Sequence, residues 1–128
     1  MAGHARYTAL LDACVLFPVV SRDALLSLAA GGLFAAKWSE RIEMEWTRAL
    51  ESRRPDLAER LQNTIHLMRA SIPDWEVPGS AVARIEPCLV LPDPNDAHVL
   101  AAAIAGHADS IVTTNLKDFP GDIIEPLG

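Results

Sequence analysis

PDPNDAHVLAAAIAGHADSIVTTN, residues 92–115, is the stretch on which the reading of this chain turns. Two closely spaced prolines lead into the apolar run Ala97–Ala105, and Gly106 supplies a stop, so the spacing predicts a helix. Ile111, Val112, Thr113 and Thr114 are all β-branched, which makes Ser110 to Thr114 a strand, with Asn115 directly after it. On a 3.6-residue period Asp96, Val99, Leu100, Ala103 and Ile104 share one stripe, so an acid opens the core-facing side of the helix. A first-turn Asp is stabilised by the helix dipole and by unpaired backbone N–H groups, which is its ordinary reading. Turned inward beside a second acid, however, it faces desolvation and like-charge repulsion, and a divalent cation relieves both. Asp93, in the Pro-flanked turn, reads as a turn residue.

Working outward, Tyr7 to Leu11 is a short apolar run that ends abruptly at Asp12, a buried strand by its pattern. Ser21 is expected to cap a helix through Ala24, Leu25, Leu28 and Ala29, which Gly31-Gly32 stops. Leu33 to Ala36 reads as a second extended piece. Ser39 opens a helix running to about Arg53, ended by Pro55. Asp56 is expected to cap the next, whose stripe is Leu57, Leu61, Ile65 and Met68, until Pro73 interrupts. Five prolines and one glycine between Ile72 and Pro94 mark a connection, with room for one short strand around Cys88 to Leu91.

Strands alternating with helices predict an α/β fold, a three-layer α/β/α sandwich with a central parallel sheet. In such sheets ligands gather at the carboxyl ends of the strands. Asp12 and the segment Asn115-Leu116-Lys117-Asp118 both lie just past expected strands and should share that edge. Asp12 alone would also fit a turn or cap.

In the helix after Ser39 the apolar face is Ile42, Trp46, Ala49 and Leu50. Glu43 and Glu45 both fall on its border, and periodicity does not choose between them; Glu40 and Glu51 point to solvent. The four histidines, His4, His66, His98 and His107, show no H-E-x-x-H or other paired spacing, which argues against zinc. No G-x-S-x-G elbow or phosphate-binding glycine loop is present. Trp38, Trp46 and Trp75 could stack bases, but near helix boundaries they read as core residues.

With 128 residues, half of them hydrophobic, residues 1–128 suit a single domain. No apolar stretch reaches the roughly 20 residues of a membrane helix. The N-terminus makes a poor signal peptide, so a cytoplasmic location is expected. Cys14 and Cys88 are too far apart for a C-x-x-C site and are expected to be reduced, small buried hydrophobes. The net charge of −6 opposes a surface built to grip phosphates. An acidic site that binds a divalent cation offers a way round this, by placing a local positive centre among carboxylates. Arg48, Arg53, Arg54 and Arg60 could face a substrate, though with Glu partners nearby they read first as a solvated helix surface.

Four fragments in order, LLDACVLFP, WSERIEMEW, LPDPNDAHVLAAAI and IVTTNLKDF, resemble PIN domains over nearly the whole chain. The resemblance implies cleavage of RNA phosphodiesters by three or four acids that hold Mg²⁺ or Mn²⁺. Position by position it implies Asp12, Glu45, the glutamate that precedes an aromatic, and Asp96. The fourth position is left between Asn115, which can ligate only through a neutral carbonyl, and Asp118. Lys117 could assist with phosphate but reads as a surface lysine.

Relatives commonly place a hydroxyl residue and then Asn after the first acid. Here Ala13 and Cys14 follow, so support for Asp12 is expected to be weaker. Relatives also commonly continue beyond the point matching Gly128 with another strand and helix, so the expectation is a short member or a truncated chain. Many bacterial proteins of this kind, the VapC-like group, are toxins held by a small antitoxin protein; that partner, an RNA substrate and a homo-oligomer are the expected partners. Two rivals stand beside a metal-dependent ribonuclease. One is a catalytically inactive PIN-fold module binding RNA or protein, favoured by Asn115 and the acidic balance. The other is an acid-site phosphatase with Asp12 as nucleophile, opposed by Cys14 standing where its second acid belongs.

Overall fold

The computed structural model describes residues 7–91 and 96–114. Four parallel strands, β1 (Thr8–Leu11), β2 (Ala35–Ser39), β3 (Glu76–Val77) and β4 (Ser110–Val112), lie in the order β3-β2-β1-β4. Adjacent residues Leu10 and Leu11 of β1 are both 0% exposed. Successive strand residues point to opposite faces, so both faces of β1 are covered, as a parallel sheet requires.

Helices α1 (Ala13–Leu16), α2 (Val19–Ala30), α3 (Glu40–Arg53) and α4 (Ala58–Ser71) pack on one another, and α2 and α3 rest on β2. Helix α6 (Ala97–Ala105) packs on β1 and β4, backed by α5 (Gly79–Ile85). The α/β/α reading therefore holds, with one core from Leu10 and Leu11 through Trp38, Ile42, Trp46, Val77 and Leu100. Trp38 and Trp75 stack at 5.2 Å, and all three tryptophans are buried core residues. No helix among the described residues is long and apolar enough to cross a membrane.

Local chemistry explains the boundaries that were foreseen. The Ser39 hydroxyl accepts from the Ile42 N–H at 3.1 Å and starts α3. Gly32, at φ 89°, ends α2 in a left-handed turn, with the Leu33 N–H reaching the Leu28 carbonyl.

Other boundaries differ from expectation. Helix α2 begins at Val19, not after Ser21, whose hydroxyl instead donates to the Val15 carbonyl at 2.6 Å and satisfies the preceding helix. Asp56 lies inside a 3₁₀ turn, Pro55–Leu57, with its carboxylate taken by Arg54 at 2.9 Å, so α4 starts without a side-chain cap. The second strand is Ala35–Ser39 rather than Leu33 to Ala36, drawn along until Trp38 is buried. The region read as connection holds β3, α5 and a 3₁₀ turn, Glu86–Cys88; no strand forms at Cys88 to Leu91. A two-residue strand is too short for a sequence period. It exists because β2 is there to pair with it, the Trp38 N–H meeting the Trp75 carbonyl at 2.9 Å. Strand β4 stops at Val112, two residues early, where Thr113 turns toward Asp12.

The left-handed turn at Gly32 gives a direct test. Gly32→Ala should lower stability in urea unfolding by about 1–2 kcal/mol, because a Cβ opposes that conformation. Gly79→Ala, where an added Cβ meets nothing within 4 Å, should change it by less than about 1 kcal/mol.

Candidate active site

Asp12 ends β1 and caps α1, and its carboxylate Oδ1 accepts from the Ala13 N–H at 2.7 Å. Its Oδ2 accepts from the Thr113 hydroxyl at 2.9 Å and from the Cys14 thiol at 3.6 Å. Cys14 Sγ also lies 3.3 Å from Thr113 Oγ1 and accepts from the Thr114 N–H. Cys14 is half-buried, packs against the core and also hydrogen-bonds Asp12, and Thr113 supplies a hydroxyl from just past the neighbouring strand. Both cysteines are free thiols, as expected, but neither is buried as expected: Cys14 is half-buried and Cys88, in the 3₁₀ turn after α5, is exposed. Asp12 is 6% exposed, yet among the described residues no Lys, Arg or His pairs with it. A buried carboxylate without a countercharge is costly to maintain.

The tie between the two glutamates is resolved by where their side chains go. Glu43 is buried, accepts from the Trp38 indole N–H at 3.2 Å, and forms a bidentate ion pair with one edge of the Arg69 guanidinium, Nε and Nη2 each donating to one carboxylate oxygen. Arg69 also lies over the Trp75 ring at 4.5 Å, and its hydrogen bonds to Glu43 raise its pKa. Glu43 is a closed structural pair. Glu45 takes the other border of α3, where its Oε2 lies 2.9 Å from Nε2 of His98 on α6.

Asp96 is half-buried and stands at the N-terminus of α6, without a capping hydrogen bond from its side chain, so the cap reading is not realised. Because α6 runs back directly into β4, its N-terminus lies at the carboxyl edge of the sheet, with Asp12 at the end of β1. Helix α3 begins directly after β2 at the same edge. Asn115, Lys117, Asp118 and Asp93 fall outside the described residues.

Arg22 joins the elements that carry two of these acids. It is buried, donates from one guanidinium nitrogen to the carbonyls of Leu16 (2.8 Å) and Phe17 (3.2 Å), and lies over the Trp46 ring at 4.7 Å. Burial pushes its pKa down from the ordinary value, but an arginine there remains cationic. It ties the end of α1 to α3. Arg48, Arg53, Arg54 and Arg60 are exposed, with Arg54 paired to Asp56, in line with a solvated surface.

The contacts of Thr113 and Cys14 with Asp12 and of His98 with Glu45 were not foreseen from the sequence. Thr113 read as one more β-branched strand residue, although its place beside Asp12 follows once β4 pairs with β1. His98 was dismissed as lacking a zinc partner; the usable signal was a lone polar ring in an otherwise apolar helix.

The donors suit a hard cation, since the three acids offer only carboxylate oxygen and the buried Asp12 has no countercharge among the described residues. Among the described residues no three His, Cys, Asp or Glu side chains stand close enough to hold a metal as they are.

The PIN domain family model matches residues 8–117. A Mycobacterium tuberculosis (strain ATCC 25618 / H37Rv) protein named "Putative ribonuclease VapC50" is 61% identical over 31 residues, 24% of this chain and 18% of that protein. The chain thus spans less than a fifth of that relative's length. No solved structure matches it.

The two glutamates should behave oppositely. Arg69→Met leaves Glu43 buried and unpaired and should cost about 2 kcal/mol in urea unfolding, less than a fully buried pair because Arg69 is 40% exposed. Glu45→Gln, which keeps an acceptor for His98, should shift stability by no more than about 0.5 kcal/mol.

Proposed function

From the premise that the chain belongs to the PIN-domain family, we propose that it is a ribonuclease whose carboxylates bind Mg²⁺ or Mn²⁺. One observation carries the reading: Asp12 is a buried carboxylate, hydrogen-bonded on both oxygens, with no cationic side chain to balance it among the described residues. Glu43, the other buried acid, has such a partner in Arg69. A divalent cation is the countercharge that fits Asp12.

Asp12, Glu45 and Asp96 would hold the cation, with Asn115 or Asp118 completing the set. When bound, it supplies polarisation of the phosphate and a lowered pKa for a water. One of the carboxylates would orient that water in line with the scissile P–O bond and take its proton, and the leaving ribose oxygen would be protonated from solvent. Thr113 and the Ala13 N–H hold one carboxylate oxygen of Asp12 each, which restricts its rotation. The positive centre that meets RNA is then the bound cation rather than a basic surface, in keeping with the net charge of −6.

The VapC likeness extends this reading to a toxin restrained by a small antitoxin protein. A second reading, a PIN-fold module that binds RNA or protein without cleaving it, is favoured by the separation of the described acids.

A mixed RNA pool incubated with and without Mn²⁺, followed by mapping of the new ends, separates the two. The proposal expects Mn²⁺-dependent ends that Asp96→Asn reduces by about 100-fold or more while the variant stays folded. Equal cleavage by a highly purified, folded Asp96→Asn protein would refute the assignment. Absence of cleavage with intact RNA binding would favour the module.

A further inference from the structure

We infer that His98 is a positioning residue that holds Glu45 ready for the metal, an assignment that rests on the metal-dependent reading above. His98 is 0% exposed on the most apolar helix of the chain, between Ala97 and Val99, where a polar ring brings no packing advantage. Its Nδ1 is buried with no hydrogen-bond partner among the described residues. The contact the ring does make is the one from Nε2 to Oε2 of Glu45, at 2.9 Å. A carboxylate accepts only, so the Nε2–H donates and fixes the tautomer.

The geometry suits a tether. Glu45 has a long side chain that is 41% exposed, and no other contact from a described side chain holds its carboxylate. The imidazole, by contrast, is locked by the packed helix around it. It lies two residues after Asp96, so one rigid segment of α6 both carries Asp96 and fixes the direction of Glu45 from α3. Hydrogen bonds to ligating carboxylates orient them and are commonly worth 10- to 100-fold in metal affinity.

The test uses the full chain and calorimetric titration with Mn²⁺, alongside thermal unfolding. His98→Gln places an amide N–H near the position of Nε2, whereas His98→Leu fills the space without a donor. The expected result is a loss of Mn²⁺ affinity of about 10- to 100-fold for His98→Leu, with His98→Gln retained within about threefold. Added to Glu45→Gln, His98→Leu should cause no further loss, since the two act as one unit. If His98→Leu does not fold, His98→Asn replaces it, its amide falling near Nδ1 and out of reach of Glu45. Unchanged Mn²⁺ binding in the variant lacking the donor overturns the inference, as does equal weakening in His98→Gln, which would mark a merely structural role. If the unsubstituted protein binds no Mn²⁺, this inference and the functional reading fall together; in every other outcome the reading stands apart from it.

Discussion

Segments 101 positions apart meet where the Thr113 hydroxyl donates to Asp12, and the backbone beneath them is pinned by the Asp12 N–H on the Val112 carbonyl at 3.1 Å. This junction joins β4 to the rest of the sheet, because β1 pairs with both β2 and β4. It also sets the site. Asp12 cannot leave the carboxyl edge without breaking the first bond of α1, and α6 must end where β4 begins. Asp12 and Asp96 are placed at the sheet's carboxyl edge by that joint.

Charge is handled differently on the two sides of α3. On one border Glu43 is buried against Trp38 and Arg69, with Trp75 stacked beneath the guanidinium. On the other, Glu45 meets a histidine and remains partly open to water. Arg22 is a cation in the same region, but it is spent on the carbonyls that end α1 and on the face of Trp46, not on Asp12. Basic side chains are thus available nearby and are directed elsewhere. Asp12 is left as a buried carboxylate with no cationic partner among the described residues.

Elements with strong local signals were legible in the sequence. The cap at Ser39, the glycine stops at Gly31-Gly32 and Gly106, and the β-branched run after Ser110 each act within a few residues, so the chain alone specifies them. Ser21 and Asp56 misled for the same reason. Both are good capping residues by type, but a carbonyl of the preceding helix claims the Ser21 hydroxyl and Arg54 claims Asp56. Strand β3 left no trace in the pattern because two residues carry no period.

The sequence by itself determined the α/β order, the family likeness and the position of Asp12 and Asp96 at the ends of elements, since periodicity and turn chemistry are local. It brought Glu43 and Glu45 to a tie, because a helical wheel gives a direction but no neighbour. Only the tertiary structure decided between their surroundings: α4 brings Arg69 to Glu43, and α6 brings His98 to Glu45. The same holds for Thr113 and Cys14, whose contacts with Asp12 exist only once β4 lies beside β1. Hydrogen bonds and ion pairs act over a few ångströms of space, and pairing across a hundred residues of chain is what supplies that proximity.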